Sequence, residues 1–238
     1  MIKLSKRLKE IADFIPPASR LADIGSDHAY LPIYLIQQEK IDFAVAGEVA
    51  AGPLQHAQEE VTDRNLEDRI HVRLGNGLDV LEKDDAVDHV VIAGMGGLLI
   101  ALILEQGLLN HKVSDGQSFV LQPNNEEVHL RRFLLENHFE ITQESILSEN
   151  KHFYEIIVAK YQAGQEAEAW SEEDLLFGRF VEAADPQIFK EKWQNEKRKT
   201  KNIIASLQYS KANNDKTLTD FQHKINLIEE RLHDEDTS

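Results

Sequence analysis

A chain of 238 residues with 42% hydrophobic residues can bury a full core, as one large domain or one domain with an appendage. It has no cysteine, which excludes disulfides, thiolate metal sites and cysteine nucleophiles and fits a reducing compartment. The formal charge of -16 argues against a non-specific coat on nucleic acid.

The bulk figure hides two basic stretches. The N-terminus carries Lys3, Lys6, Arg7 and Lys9 against Glu10. A later stretch carries Lys190, Lys192, Lys197, Arg198, Lys199 and Lys201 against Glu191 and Glu196. Both also fit solvated helix faces. The opening MIKLSKRLKEIADFI lacks an unbroken apolar run and a small-residue cleavage site, and no later segment is apolar for about 18 residues. Export and membrane insertion are not expected, and cytoplasm is the expected location.

Up to about residue 161, short β-rich runs alternate with helical stretches, the pattern of a mostly parallel sheet covered on both faces. The expected strands are Arg20 to Ile24, Phe43 to Glu48, Ile70 to Leu74, His89 to Ala93 and Ser118 to Gln122. Helices are expected near 30–38, 52–63, 97–106 and 125–136. Beyond Asn137, Glu140 to Leu147 and His152 to Tyr161 are joined by only Ser148 to Lys151, too short for a parallel crossover, so they must form an antiparallel hairpin.

The polar linker QAGQEAEA follows, and β patterning then stops. Asp185 and Pro186 start a helix expected to reach about Lys211, with Phe189, Trp193, Ile203 and Leu207 on one stripe. After a turn at Ala212 to Asp215, Leu218, Phe221, Ile225, Ile228 and Leu232 recur every three or four residues, a seam for a partner helix. The expected organisation is an α/β domain over 1–161 and a helical coiled-coil hairpin over 170–234.

An open α/β sheet binds ligands beyond the carboxyl ends of its strands. After strand one comes the turn Gly25, Ser26, Asp27, His28. Glu48 ends strand two, about 20 residues on, where an acid accepts hydrogen bonds from ribose hydroxyls. Asn76 suits an adenine edge, Gly77 lets backbone approach the ring, and Ala93 to Gly97 follow strand four. The expected cofactor-side set is Asp23, Gly25, Ser26, Asp27, Glu48, Val49, Asn76, Gly77, Gly94 and Met95. A dinucleotide site wants G-x-G-x-x-G, and an aspartate aimed at phosphate repels it. A sulfonium cofactor with an amino-acid tail suits these acids, since Asp23 or Asp27 can pair its ammonium. The parallel order closed by an antiparallel hairpin points the same way, to a Rossmann-like class I methyltransferase sheet.

DIGSDHAYLP at 23–32, Glu48, GNGLDVL at 75–81, VIAGMGG at 91–97 and LQPN at 121–124 together resemble the bacterial tRNA (adenine-22-N1)-methyltransferase family. The resemblance covers roughly residues 1–161, and the helical hairpin is similar to that family's coiled-coil appendage. It implies S-adenosylmethionine as methyl donor and adenine 22 of tRNA as acceptor.

Attack by N1 leaves a cationic adenine, which an acceptor for an N6 proton stabilises. The GMGG loop offers no side-chain acceptor, so the search returns to Asp27, with His28 and Tyr30 able to orient it or stack on the base. Asp27 could instead cap the helix that follows, and His28 could be structural. Gln122, Pro123 and Asn124 end strand five on the same rim. Lys3, Lys6, Arg7, Lys197, Arg198, Lys199 and Lys201 are the expected RNA contacts, and Trp193 among them is expected in the core. The histidines show no metal-ligand spacing, so no metal is expected. A monomer or weak dimer without an obligate protein partner is expected. The competing readings are a methyltransferase for a small molecule or protein, a nicotinamide-dependent oxidoreductase, and a non-catalytic module binding helices through Leu218 to Leu232.

Overall fold

The computed structural model describes residues 2–166, 168–208 and 215–235. Helix α1 (Lys6–Asp13) leads into β1 (Arg20–Ile24), and the chain then alternates α2 (Tyr30–Gln37), β2 (Phe43–Glu48), α3 (Ala51–Thr62), β3 (Ile70–Leu74), β4 (His89–Met95), α4 (Gly97–Leu109), β5 (Ser118–Pro123) and α5 (Glu127–Glu136). The hairpin strands β6 (Phe139–Glu149) and β7 (His152–Tyr161) complete a seven-stranded sheet in the order β3-β2-β1-β4-β5-β7-β6. Only β7 runs against its neighbours, β5 and β6. The order reverses between β1 and β4, so a crevice opens at their carboxyl ends, next to residues 25–28 and 94–97.

The strands form because their apolar side chains are buried on both faces. Ala22, Ile24, Val90, Ile92, Phe119 and Leu121 face one layer of helices, while Leu21, Ala44, Ala46, Val91 and Val120 face the other. The expected first five strands stand, with β4 two residues longer and β5 one residue longer than their periodicity indicates. The hairpin is longer too, and its turn is only Asn150 and Lys151, both with positive φ, the geometry of a two-residue β-turn.

Past residue 161 the chain is helical: α6 (Glu172–Phe177), α7 (Val181–Ala184), α8 (Pro186–Gln208) and α9 (Asp215–Glu235). Asp185 Oδ1 accepts the Ile188 N–H at 2.9 Å and so caps α8. Phe177, Val181, Phe189, Trp193, Ile228 and Leu232 form a core with Ile146 of β6, which ties the helices to the sheet. Ile203 is 43% exposed, contrary to the expected stripe. The seam runs instead through buried Thr200 and half-buried Ile204, because residues 193, 200, 204 and 207 keep one face at helical spacing and 203 falls off it. The expected helix end near Lys211 and the turn before Asp215 lie outside the described residues. Of the second helix's expected seam, Ile225, Ile228 and Leu232 are buried by their own chain, while Leu218 and Phe221 are half-buried. Among the described residues no helix is long and apolar enough to cross a membrane.

The joint between sheet and helices is ionic as well as apolar. Arg131 of α5 is fully buried and donates to Glu144 Oε1 at 2.7 Å and to Glu155 Oε2 at 2.5 Å, while its Nη1 donates to the Leu175 carbonyl of α6. Glu155 also accepts from Lys192 Nζ of α8 at 2.6 Å. Burial works against the Glu155 carboxylate, but Lys192 and Arg131 outweigh it and hold its pKa below the ordinary value.

Candidate active site

At the end of β1 the chain turns through Gly25 at φ +69, a conformation that glycine adopts without strain. A Cβ at Gly25 would strike the Met95 side chain, so the turn after β1 and the loop after β4 touch here. The Gly25 and Ser26 N–H groups both donate to the Gly47 carbonyl of β2, at 2.9 and 3.2 Å. Ser26 Oγ donates back to Asp23 Oδ2 at 2.5 Å.

Asp23 is only 5% exposed, in the middle of the sheet between Ala46 and Val91. Burial pushes its carboxyl up to about 7, the Ser26 hydrogen bond partly opposes this, and the nearby charge of Glu48 adds to it. Glu48 is buried at the end of β2, and its Oε1 accepts the Asp27 N–H. Two acids from adjacent strands thus face one turn, and the side chain of Asp27 is left out of that pairing.

Asp27 has φ +44, and its side chain is 78% exposed. It caps nothing: the residue before α2 is Ala29, itself left-handed, with no side-chain cap. The Asp27 carboxylate instead lies 3.6 Å from His28 Nε2. The His28 ring stacks on Tyr30 with centroids 5.1 Å apart and on His56 of α3 at 5.2 Å, both at 25°. His56 has no counterpart among the sequence candidates, since nothing in its own helix marks it.

Val49 is exposed just past Glu48, Asn76 is exposed after β3, and Gly77 follows with φ +55. The other side of the crevice is built by β4, β5 and β7. Gly94 has φ +78, and its N–H donates to Gln122 Oε1 at 3.1 Å. Its carbonyl accepts Asn124 Nδ2 at 2.7 Å, and the Asn124 N–H donates to the Met95 carbonyl at 2.7 Å. Asn124 therefore pins the loop after β4 and does not cap α5.

The basic residues divide. Arg7 is half-buried at this rim, donates to Gln122 Oε1 and lies over the Tyr154 ring at 5.4 Å. Lys6 Nζ donates to the Ser148 carbonyl, and Lys3 is exposed with no carboxylate partner among the described residues. On the helical unit Lys197 and Lys201 pair with Glu229, Lys199 pairs with Glu196, and Arg198 donates to Asn195. Trp193 is 3% exposed, in the core. A cleft of about 340 Å³ lies between the rim and this unit, with Asn124, Asn125, Lys151, His152, Lys199 and Lys224 in its wall.

The family model for tRNA (adenine(22)-N(1))-methyltransferase matches residues 21–230, both the sheet and the helical unit. The chain belongs to this tRNA (adenine(22)-N(1))-methyltransferase family. It is similar to the tRNA (adenine(22)-N(1))-methyltransferase of Bacillus subtilis (strain 168), 37% identical over 235 residues that cover 96% of this chain and 97% of the relative. A Streptococcus pneumoniae protein solved in complex with S-adenosyl-L-methionine is 40% identical, with TM-score 0.86 over 97% of this chain and 100% of that one. M. capricolum TrmK, solved with the cofactor product S-adenosyl-homocysteine, is 28% identical with TM-score 0.82, over 97% and 98% of the two chains. A family of tRNA methyltransferases accounts for acids, and not a glycine-rich phosphate cradle, at the turn after β1.

Proposed function

We infer that this chain transfers a methyl group from S-adenosylmethionine to N1 of adenine 22 in tRNA. The observation that carries the reading is the convergence of Asp23, Glu48 and the Gly25 turn at the point where strand order reverses, in a chain of this family. The residues present fit the cofactor. The bare backbone at Gly25 leaves a cradle that a Cβ would fill, Glu48 Oε2 is available to ribose hydroxyls, and the buried Asp23 carboxylate matches an ammonium. When bound, the cofactor supplies an electrophilic methyl group.

The protein's own work is placement and charge. The acceptor adenine has to enter the crevice between the turn after β1 and the loop after β4, which demands its extraction from the stacked tRNA. Asp27 offers an exposed carboxylate, without hydrogen bonds to backbone, to the N6 amino group as positive charge develops on the base. His28 and Tyr30 present a stacked aromatic wall beside it, continued by His56. Asn76 and Gly77 serve the cofactor adenine, with Val49, Gly94 and Met95 closing the cofactor side. The tRNA backbone would run from Lys3 and Lys6 across the cleft at Lys151 toward the helical unit.

Calorimetric titration tests the cofactor side: S-adenosylmethionine should bind and NAD should not. Asp27→Ala should keep that affinity within about threefold while kcat drops at least about 100-fold. Near-normal turnover in Asp27→Ala would remove Asp27 from the reaction.

A further inference from the structure

The sequence places Arg7 among peripheral RNA contacts, but the structure puts it inside the rim. Gln122 is fully buried, and its amide is committed on both sides. Its Nε2 donates to the Pro123 carbonyl at 2.7 Å and to Asn124 Oδ1 at 3.2 Å, while Oε1 accepts both the Gly94 N–H at 3.1 Å and Arg7 Nη1. Both donors to Oε1 fix the same orientation. A flipped amide would set its NH2 against a guanidinium and an N–H.

Arg7 is itself held from two sides. The Tyr154 ring lies beneath the guanidinium, and the Glu149 carboxylate accepts the Arg7 N–H at 3.3 Å and the Lys6 N–H at 2.7 Å, anchoring the first turn of α1 to the β6–β7 tip. The loop it serves is tightly specified. Gly94 sits at φ +78, a Cβ there would lie 3.0 Å from Arg7 Nη1, and the next residue, Met95, packs on the Gly25 turn. A continuous set of contacts thus runs from α1 through Gln122 and the loop after β4 to the cofactor turn.

We propose that Arg7 is a positioning residue for methyl transfer: by fixing the Gln122 amide it sets the Gly94–Met95 loop against the Gly25 turn. The kinetic consequences rest on the methyltransferase reading above, whereas the loop geometry does not.

The chain has two methionines, Met1 and Met95, so a protein labelled with 13C at the methionine methyl gives a direct reporter of the loop. In Arg7→Lys and Gln122→Ala the Met95 methyl resonance should shift or broaden, with Met1 unchanged. A Met95 signal identical to wild type in both variants overturns the proposal. In turnover, Arg7→Ala and Arg7→Lys should each lower kcat at least about tenfold, with tRNA affinity within twofold and its salt dependence unchanged. Lysine fails to rescue because it lacks the planar guanidinium fork. The Arg7→Ala, Gln122→Ala double variant should be no worse than the poorer single one. Rescue by lysine, with a salt slope in Arg7→Ala reduced by about one, makes Arg7 a phosphate contact and overturns the proposal. If the wild-type protein methylates no tRNA, the function proposed above fails, while the Met95 signal still decides whether Arg7 sets the loop.

Discussion

In the proposed site, Asp23 would couple the fold to the cofactor through one buried group. Burial disfavours the anion and pushes its carboxyl up to about 7, so without a cationic partner it is largely protonated below neutral pH. An ammonium partner requires the anion, and binding must then expel a proton. S-adenosylmethionine affinity should rise with pH through about 7 and level off above about 8, losing about tenfold per unit on the acid side. Calorimetry in buffers of different ionisation enthalpy reads the released proton directly. A flat profile from pH 6 to 8 would separate Asp23 from the ammonium. The same raised pKa costs stability as pH rises from about 4 to about 7, since the unfolded chain gives up this proton first. Asp23, Glu48 and the Gly25 turn were legible in the sequence because each ends a strand and the spacing between strands is regular. His56 and Tyr154 were not, because what makes them relevant is a ring or a guanidinium from another element, and no periodicity within α3 or β7 encodes that.

Elements were legible where burial alone sets their pattern. β1, β2, β4 and β5 read as strands because mostly apolar runs are covered on both faces, whereas the edge strand β3 leaves His71 and Leu74 exposed, and the hairpin followed from the length of its turn. The α8 stripe was misread at Ile203 because a β-branched apolar residue at a near-helical interval mimics a seam position, while the polar Thr200 occupies one. The joint between α5, the hairpin and α8 was not visible either: Arg131, Glu144, Glu155 and Lys192 are scattered polar residues until the fold buries them together. Arg131→Met leaves buried Glu144 with the Phe180 N–H but no cation and Glu155 with Lys192 alone among the described cations, so it should destabilise the protein by about 3–5 kcal/mol in urea denaturation. A loss below about 1 kcal/mol would show that the joint is carried by the apolar contacts around Phe189 and Trp193. On α8, the lysine pairs with Glu196 and Glu229 lower the positive field expected from sequence. Neutralising Lys197, Arg198, Lys199 and Lys201 should still weaken tRNA binding, with the salt slope falling by fewer than four units. Unchanged binding assigns that face to solvent.

At the scale of the molecule, a chain whose 42 acids outnumber its 26 Lys and Arg needs those cations placed where an anionic RNA passes. The N-terminal helix, the hairpin tip and the helical unit surround the carboxyl ends of β4 and β5 and the amino end of β7; Glu149 ties the hairpin tip to α1, and the buried ionic joint ties the hairpin to α5 and α8. On the proposed reading, phosphates held on the helical unit would set the depth at which a base enters beside Asp27. Overall sheet architecture was readable from the order of motifs. The meeting of Arg7, Gln122 and Tyr154 at the rim was not, because they come from α1, β5 and β7, far apart in sequence. The central claim is tested by incubating the purified protein with S-adenosylmethionine and unmodified tRNA and mapping methylated adenine by nuclease digestion and mass spectrometry. The account predicts 1-methyladenine at position 22, lost when adenine 22 is replaced by guanine. Methylation at another position or on another atom, or none with the cofactor bound, would contradict it.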